Sequence, residues 1–306
     1  MVTVGISDQD LVLNPDPEAR RRLLDRVADG GIEHLTVGDH LSFHGGTGFD
    51  GIVSATSVLA AHERLSVTIG VYLLALRHPL AVARQISTLC QLAPGRLTLG
   101  VGVGGEDRSE VSNAGVDPAT RGRRLDEALT VLSALSEGDA VTHHGEFFDL
   151  DDARVLPPPL PRVPIMVGGR GEPAVRRTAR YGDGWLGIFC SARRFAATRQ
   201  QILDAAAELG RPTPSRFGVN VWCGLDADPA RARDLLGQRM QALYRLPPEK
   251  FQHIAPAGTP AQVADWLAAF VEAGAQHVTV VPVADSTEAG IDAVAEIRER
   301  LTTPAG

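Results

Sequence analysis

One continuous stretch, residues 65–104, decides the fold: LSVTIGVYLLALRHPLAVARQISTLCQLAPGRLTLGVGVG. Its two ends, residues 65–74 and 96–103, are apolar runs rich in Val, Leu and Thr, which is typical of strands buried on both faces. Between them, residues 79–92 carry apolar side chains at helical spacing and stop before a Pro-Gly pair. The stretch therefore predicts a strand–helix–strand unit with two parallel strands.

The same alternation extends toward both ends of the chain. Six further apolar runs are typical of buried strands: residues 2–7, 33–38, 164–168, 184–189, 216–225 and 277–283. Seven further segments have helical patterns: residues 17–29, 121–135, 172–181, 191–209, 229–243, 259–273 and 286–301. Residues 50–61 fit the remaining helix position between the second and third strands. Eight strands alternating with helices predict an α/β fold, the (β/α)8 TIM barrel, with an open doubly wound sheet as the alternative.

The length leaves room for insertions in such a barrel. A barrel of this kind needs about 250 residues, and the chain has 306. Two stretches interrupt the alternation: residues 139–162, which hold a hairpin-like segment at His143 and His144 and a run of three prolines, and residues 244–258. We expect one domain over residues 1–306 with these two insertions.

The charged residues limit the chemistry. The formal net charge is −7, and Lys250 is the one Lys among 30 cationic residues, the others being Arg. An acidic chain without basic blocks disfavours nucleic-acid binding. Schiff-base mechanisms need an amine nucleophile, and Lys250 lies in a polar segment typical of a solvated loop. Lysine-dependent aldolase and pyridoxal chemistry are therefore disfavoured.

Cysteine usage and the N-terminal sequence bear on location. Three cysteines without CxxC spacing disfavour a disulfide framework or a structural zinc site and suit a reducing cytosol. The first residues show no basic segment followed by a long apolar run, and no apolar stretch reaches membrane-spanning length. We expect a cytoplasmic protein without a membrane partner.

Candidate site residues follow the predicted strands, because a TIM barrel carries its active site at the carboxyl ends of its strands. Asp39 and His40 follow the second strand, where they could form an acid–base pair or merely cap a loop. Gly70, inside the third strand, indicates a bulge or a close approach. After the fourth strand, the glycines around Gly102 are expected to leave an uncovered surface suited to a flat ring.

An anion site is predicted after the fifth strand, with a plain turn as the alternative. Gly168, Gly169 and Arg170 precede a helix, whose free N–H groups and the guanidinium could bind phosphate. His143 and His144 are adjacent, so their side chains would diverge in a strand, and no Cys or further His has zinc spacing. We expect no metal site.

These residues belong to an ordered set of motifs that resembles the bacterial-luciferase-like family of TIM-barrel flavin enzymes. The motifs cover nearly the whole chain and are, in order, residues 37–40 (VGDH), 77–79 (RHP), 94–102 (PGRLTLGVG), 115–127 (GVDPATRGRRLDE), 164–169 (PIMVGG), 181–185 (YGDGW) and 258–260 (GTP). Each motif is weak alone, whereas the ordered set is specific.

The resemblance implies a homodimeric oxidoreductase with one of two cofactors. The family divides into FMN users and coenzyme F420 users, and the Gly-Arg-Leu and Gly-Thr-Pro motifs favour the F420 branch, as does an Arg- and Ala-rich composition typical of high-GC actinobacteria. We expect hydride transfer between F420 and a small organic substrate. The alternatives are an FMN-dependent monooxygenase served by a flavin reductase, a flavin- or F420-binding protein without turnover and, outside the family, a metal-dependent hydrolase.

The resemblance also implies roles for single residues. His40 and Asp39 match an acid–base pair with His40 poised by Asp39, Glu106 matches a second acid facing the substrate, and Ser109 and Glu110 would flank the ring. A non-proline cis peptide at the third strand would back the ring. The expected cofactor-binding positions are Asp39, Gly70, Val71, Tyr72, Gly102, Gly104, Gly105, Glu106, Ser109, Gly168, Gly169 and Arg170.

Two departures separate this chain from the sugar-phosphate dehydrogenases of the family. Some of these enzymes carry Trp four residues after the matching His, where this chain has His44. Their phosphate-binding cations include Lys, and no Lys lies beside Ser191 or near the eighth strand. A sugar-phosphate substrate is therefore not expected.

Overall fold

The chain folds into a closed barrel of parallel strands surrounded by helices. The computed structural model describes residues 2–104, 107–245 and 247–303. Within them the strands are β1 (Thr3–Ile6), β2 (His34–Val37), β3 (Ser66–Tyr72), β4 (Leu97–Val101), β5 (Val141–His144), β6 (Asp149–Ala153), β7 (Ile165–Gly168), β8 (Gly184–Ile188), β9 (Arg216–Leu225), β10 (Ala257–Gly258) and β11 (His277–Val283). β1 pairs with β11 and β8 pairs with β9, so eight strands close into a ring. The (β/α)8 prediction is confirmed, and the open sheet is wrong.

Helices lie between the barrel strands. They are α1 (Gln9–Leu13), α2 (Pro17–Asp29), α3 (Gly51–Ala61), α4 (Pro79–Leu92), α5 (Arg108–Asn113), α6 (Arg121–Leu135), α7 (Glu172–Tyr181), α8 (Ala192–Glu208), α9 (Pro229–Tyr244), α10 (Pro260–Glu272) and α11 (Thr287–Thr302). The nine predicted helices are confirmed, four of them to the residue. α1 and α5 were not predicted, because five or six residues are too few to show a helical period.

Local chemistry accounts for several helix starts. Asp16 caps α2 by accepting a hydrogen bond from the backbone N–H of Glu18, with Pro17 in the first turn. At α10, Thr259 and Gln262 form a reciprocal capping box. These side chains satisfy backbone donors that a helix start leaves without partners, so they fix where each helix begins.

A polar layer crosses the barrel interior. His34 Nε2 lies 3.2 Å from Thr279 Oγ1, which lies 2.9 Å from Thr36 Oγ1. A Cβ on Gly5 would stand 2.2 Å from His34 Nε2, so only glycine at this position leaves room for the ring. Burial lowers the pKa of His34 to about 3 and that of His277 to about 4, and both rings are therefore neutral near pH 7.

The stretch 139–162 contains the expected hairpin. β5 and β6 pair antiparallel between α6 and β7. Glu127 of α6 holds the hairpin, since its carboxylate lies 3.1 Å from His143 Nε2 and accepts the backbone N–H groups of residues 146–148. His144 contacts Asp149 instead, so the two histidine side chains diverge as predicted.

Two findings concern membranes and metals. Among the described residues, no helix has both the length and the apolar character to span a membrane. The same residues contain no cluster of three or more His, Cys, Asp or Glu side chains that could bind a metal ion.

Candidate functional site

Asp39 is placed by the turn that follows β2. Its carboxylate is fully buried and accepts four hydrogen bonds of 2.8 Å, two from the Arg77 guanidinium and one each from the backbone N–H groups of Gly51 and Leu73. Burial raises the pKa of Asp39, and Arg77 opposes that shift. The four donors occupy both carboxylate oxygens, so Asp39 does not poise His40, and this part of the prediction is wrong.

The carboxylate beside His40 belongs to Glu110. His40 Nδ1 lies 3.1 Å from Glu110 Oε2, and Glu110 Oε1 accepts the backbone N–H groups of Leu41 at 2.7 Å and Ser42 at 3.1 Å. The Glu110 side chain is 1% exposed, whereas that of His40 is 37% exposed. A buried carboxylate thus holds a half-open imidazole at the mouth of the barrel.

The loop that carries His40 is tied to two other loops. Asp107, the N-cap of α5, accepts the backbone N–H of His44 at 2.8 Å, and Arg245, at the end of α9, donates to the His44 carbonyl at 2.9 Å. Hydrogen bonds from Ser109 and His44 lower the pKa of Asp107 to about 2. Phe43 packs between the two imidazoles, with ring centroids 4.3 Å from His40 and 4.0 Å from His44.

The third strand carries the expected irregularity. The peptide bond between Gly70 and Val71 is cis, and the pairing of β3 with β4 shifts between Ile69 and Tyr72. The Tyr72 side chain is fully buried, with the Arg77 guanidinium 4.3 Å from its ring centroid. Only the backbone of Tyr72 is therefore available to a ligand at the mouth. The predicted role of Tyr72 in cofactor binding is limited to its backbone atoms.

The glycines of β4 and β7 make room for the bulge. A Cβ on Gly102 would stand 2.5 Å from Val71 Cγ2, one on Gly168 would stand 2.5 Å from Val71 Cγ1, and one on Gly100 would stand 2.3 Å from the Ile69 carbonyl oxygen. The expectation that these glycines leave an uncovered surface is thus wrong for Gly100 and Gly102. The half-buried Val71 lies over the ends of β4 and β7 and supplies an apolar platform in their place.

The predicted anion site lies where β7 turns into α7. Gly169 and Gly171 have φ values of 123° and 76°, which favour glycine, and Gly171 is the N-cap of a ten-residue helix. Arg170 is exposed between them. Burial raises the pKa of Cys190 to about 11, and the charges of Arg194 and Arg170 oppose that shift. Arg194 lies in the first turn of α8, which follows β8. Arg194 has no sequence motif that would have singled it out.

Of the other residues predicted in the loop after β4, the structure describes Gly104 and Ser109. Glu106 and Gly105 lie outside the described residues. Gly104 adopts a φ of 64°. Ser109 donates its hydroxyl to Asp107 at 2.5 Å, so its hydroxyl is engaged within the loop.

An aromatic cluster, absent from the sequence prediction, lies around the carboxyl ends of β8 and β9 and the end of α9. Its members are Phe189, Trp222, Tyr244 and Phe251, with ring centroids 5.2–6.1 Å apart. Trp222 Nε1 donates to the Tyr244 hydroxyl at 3.2 Å. These four residues, which we call the aromatic wall, are spread over 63 positions of the chain, so no local motif connects them.

Comparison with known proteins agrees with this geometry. The family model described as luciferase-like monooxygenase matches residues 2–277. The chain therefore belongs to the luciferase-like monooxygenase family, and the resemblance inferred from its motifs is confirmed.

Several curated relatives are named as F420-dependent enzymes. An F420-dependent glucose-6-phosphate dehydrogenase of Beutenbergia cavernae is 31% identical over 216 residues, which cover 68% of this chain and 64% of that protein. The chain matches about half of the length of its curated relatives.

Two solved structures share the fold over nearly their whole length. An F420-dependent secondary alcohol dehydrogenase in complex with an F420–acetone adduct superposes with a TM-score of 0.83 at 20% identity, covering 99% of both chains. The oxygenating constituent of 3,6-diketocamphane monooxygenase from Pseudomonas putida, in complex with FMN, superposes with a TM-score of 0.77 at 16% identity, again covering 99% of both chains.

Proposed function

We propose that the protein is an F420-dependent oxidoreductase that exchanges a hydride with a small organic substrate at the mouth of the barrel. The observation that carries this proposal is a half-exposed imidazole, held by a buried carboxylate, at the same mouth as the Val71 platform. The name of the Beutenbergia relative, which matches 68% of the chain, favours F420 over FMN.

The residues at the mouth fit a flat ring with an anionic tail. Val71 offers an apolar surface over the ends of β4 and β7. Asn220 is only 7% exposed, and its Oδ1 has no hydrogen-bond partner within the described residues. Arg170 and the start of α7 would hold an anionic tail, because helix N-termini and guanidinium groups both favour phosphate.

His40 would move the proton. Its Nδ1 faces Glu110, which leaves Nε2 as the nitrogen that meets a substrate hydroxyl or carbonyl oxygen. Bound F420 would supply a ring carbon that exchanges hydride and reacts poorly with oxygen. The protein would contribute the position of the substrate and the route of the proton.

The test uses reduced and oxidised F420 with panels of ketones and of alcohols, followed by the absorbance of the deazaflavin. We expect acceptor-dependent oxidation or donor-dependent reduction that His40→Ala lowers by about 10²- to 10⁴-fold, with F420 affinity kept within severalfold. His144→Ala, on the exposed hairpin, is the matched control and should stay active.

Other outcomes would point to the alternatives. F420 binding without exchange in either direction would indicate a binding protein without turnover. Oxygen consumption that depends on reduced FMN would indicate the monooxygenase, which the family description and the FMN-bound neighbour favour. Full activity of His40→Ala would remove His40 from the mechanism.

A further inference from the structure

We propose that the aromatic wall selects an uncharged substrate with an apolar body, an alcohol or the corresponding ketone, and that Trp222 is its main contact. This inference rests on the proposed function, because it names the substrate class of the same site. Two observations support the inference: one face of β9 points into the barrel, and the side chains of the aromatic wall are apolar and uncharged.

One face of β9 points into the barrel. A Cβ on Gly218 would contact Leu186 of β8 and Met166 of β7 at 3.1 Å, and Asn220 Nδ2 lies 3.3 Å from where a Cβ on Gly70 would stand, across the barrel. Side chains alternate along a strand, so Trp222 shares this inward face. It stands two residues nearer the mouth than Asn220, opposite the platform made by Val71.

The wall around Trp222 is apolar and built from three elements. Phe189 follows β8, Tyr244 ends α9, and Phe251 follows a 3-10 turn at Pro248–Lys250. Phe189 meets Tyr244 edge to face at a centroid distance of 5.2 Å, and Trp222 meets Tyr244 at 6.1 Å. Phe251 is buried, whereas Trp222 and Phe189 remain partly exposed, so these two side chains keep surface that a ligand could contact.

Backbone strain is concentrated at the same place. Four non-glycine residues within the described chain have positive φ, and three of them border the mouth: His44 at 41°, Phe189 at 51° and Arg245 at 56°. Such conformations are unfavourable for bulky side chains and cluster at functional sites. Arg245 also joins the wall to the His40 loop through its bond to the His44 carbonyl. The wall and the proposed acid–base residue therefore border one space.

Charge near the wall favours a neutral ligand. The four wall residues carry none, and the indole N–H and the phenol hydroxyl bond to each other. Lys250, next to Phe251 in sequence, is exposed. A sugar phosphate carries a charged phosphate and several hydroxyl groups, for which four aromatic side chains offer few hydrogen-bond partners, and polar groups buried without partners are costly. Arg245 is the cation through which an anionic substrate could still bind, and the test includes that outcome.

Oxidation of an alcohol to a ketone needs one hydride acceptor and one proton acceptor, and F420 and His40 would supply them. When an alcohol is oxidised, its C–H bond breaks, and bound F420 would accept the hydride with its two electrons. Its O–H bond breaks as well, the proton goes to His40 Nε2, and a carbonyl double bond forms. The reverse direction reduces the ketone.

The test is a ligand-observed NMR titration with 2-butanone, 2-hexanone, 2-octanone and glucose 6-phosphate, with and without saturating F420. We expect affinity to rise about fourfold per added methylene group and glucose 6-phosphate to bind more weakly than 2-octanone. Trp222→Ala should flatten this dependence on chain length. Trp266→Ala, which removes a tryptophan from α10 outside the barrel, should leave it unchanged, and Tyr244→Ala is a second probe if Trp222→Ala fails to fold.

The outcomes separate the two proposals. If the ketones bind in a Trp222-dependent way but F420 does not bind, the substrate class stands and the proposed cofactor fails. If F420 binds but glucose 6-phosphate binds more tightly than 2-octanone, the substrate class is overturned while the proposed function stands. If affinity depends on chain length in both the Trp222 and Tyr244 variants as it does in the wild type, the proposed substrate class is also overturned.

Discussion

Glu110 organises the loop that carries His40 through one buried carboxylate. It reaches His40 Nδ1 and the backbone N–H groups of Leu41 and Ser42, three groups that lie about 70 positions away in sequence. Hydrogen bonds to a charged acceptor are stronger than neutral ones. The loop and the imidazole are therefore held by the same group, and the position of His40 depends on it.

We expect Glu110→Gln to lower turnover by about 10- to 100-fold, because losing a hydrogen bond to a charged group costs about 1.5–3 kcal/mol. F420 affinity should change little. Glu110→Ala should in addition speed hydrogen exchange at the amides of Leu41 and Ser42, which the Gln variant still protects in part. Kinetics and exchange measured on both variants check this, with the exposed Glu63→Gln as control. Wild-type turnover in Glu110→Ala would contradict the role.

For single residues, the sequence predicts which side chains lie near the site better than it predicts which side chains they contact. His40 was singled out because it follows a strand end, a local feature. Asp39 was paired with it because the two are adjacent, but adjacent side chains after a strand point in different directions. Asp39 instead turns to Arg77, 38 positions away, and Glu110 takes its place. Contacts of this length depend on how the loops pack, which no motif encodes.

At the scale of elements, the end of β3 depends on glycines in its neighbours. Val71 occupies the volume in which a side chain at position 102 or 168 would stand. The Gly-rich sequence after the fourth strand predicts a ligand surface in this region, but on the ground that the glycines themselves leave that surface uncovered. The glycines admit a neighbouring side chain, which then forms the surface offered to a ligand.

We expect Gly102→Ala to destabilise the protein by about 1–3 kcal/mol, the usual range for an overpacked site, and to weaken F420 binding. Adding Val71→Ala should restore much of the stability, because it removes the methyl group that stands 2.5 Å from the new Cβ. Gly100→Ala is the matched control: its Cβ would meet the Ile69 carbonyl oxygen, so Val71→Ala should not rescue it. Urea denaturation of these four variants, of Val71→Ala alone and of the wild type measures both couplings. Equal rescue of both glycine variants would contradict the packing.

At the scale of the whole molecule, the barrel was the most predictable feature. Buried parallel strands read as near-continuous apolar runs, and helices show their period over ten or more residues, so both signals are strong and local. β9 and β11 have the predicted bounds. The polar layer inside the barrel was not predicted, because His34 and Thr279 lie 245 positions apart and meet only after the barrel closes.

This layer predicts how stability depends on pH. His34 binds a proton less readily in the folded state, where its pKa is about 3, than in the unfolded state, near 6.5. Stability therefore rises with pH between these values and is lost as the pH falls below 6.5. At pH 4 the loss from His34 is on the order of 3 kcal/mol. Urea denaturation from pH 7 to pH 4 should show a smaller slope for His34→Gln, and an unchanged slope for the exposed His253→Gln. Identical slopes for wild type and His34→Gln would contradict the assignment.

Titrating the protein with F420 and with FMN in parallel tests whether the mouth of this barrel binds F420. We expect tight F420 binding that weakens in Arg170→Gln, and FMN binding that is clearly weaker. Tight FMN binding with no F420 binding would contradict it.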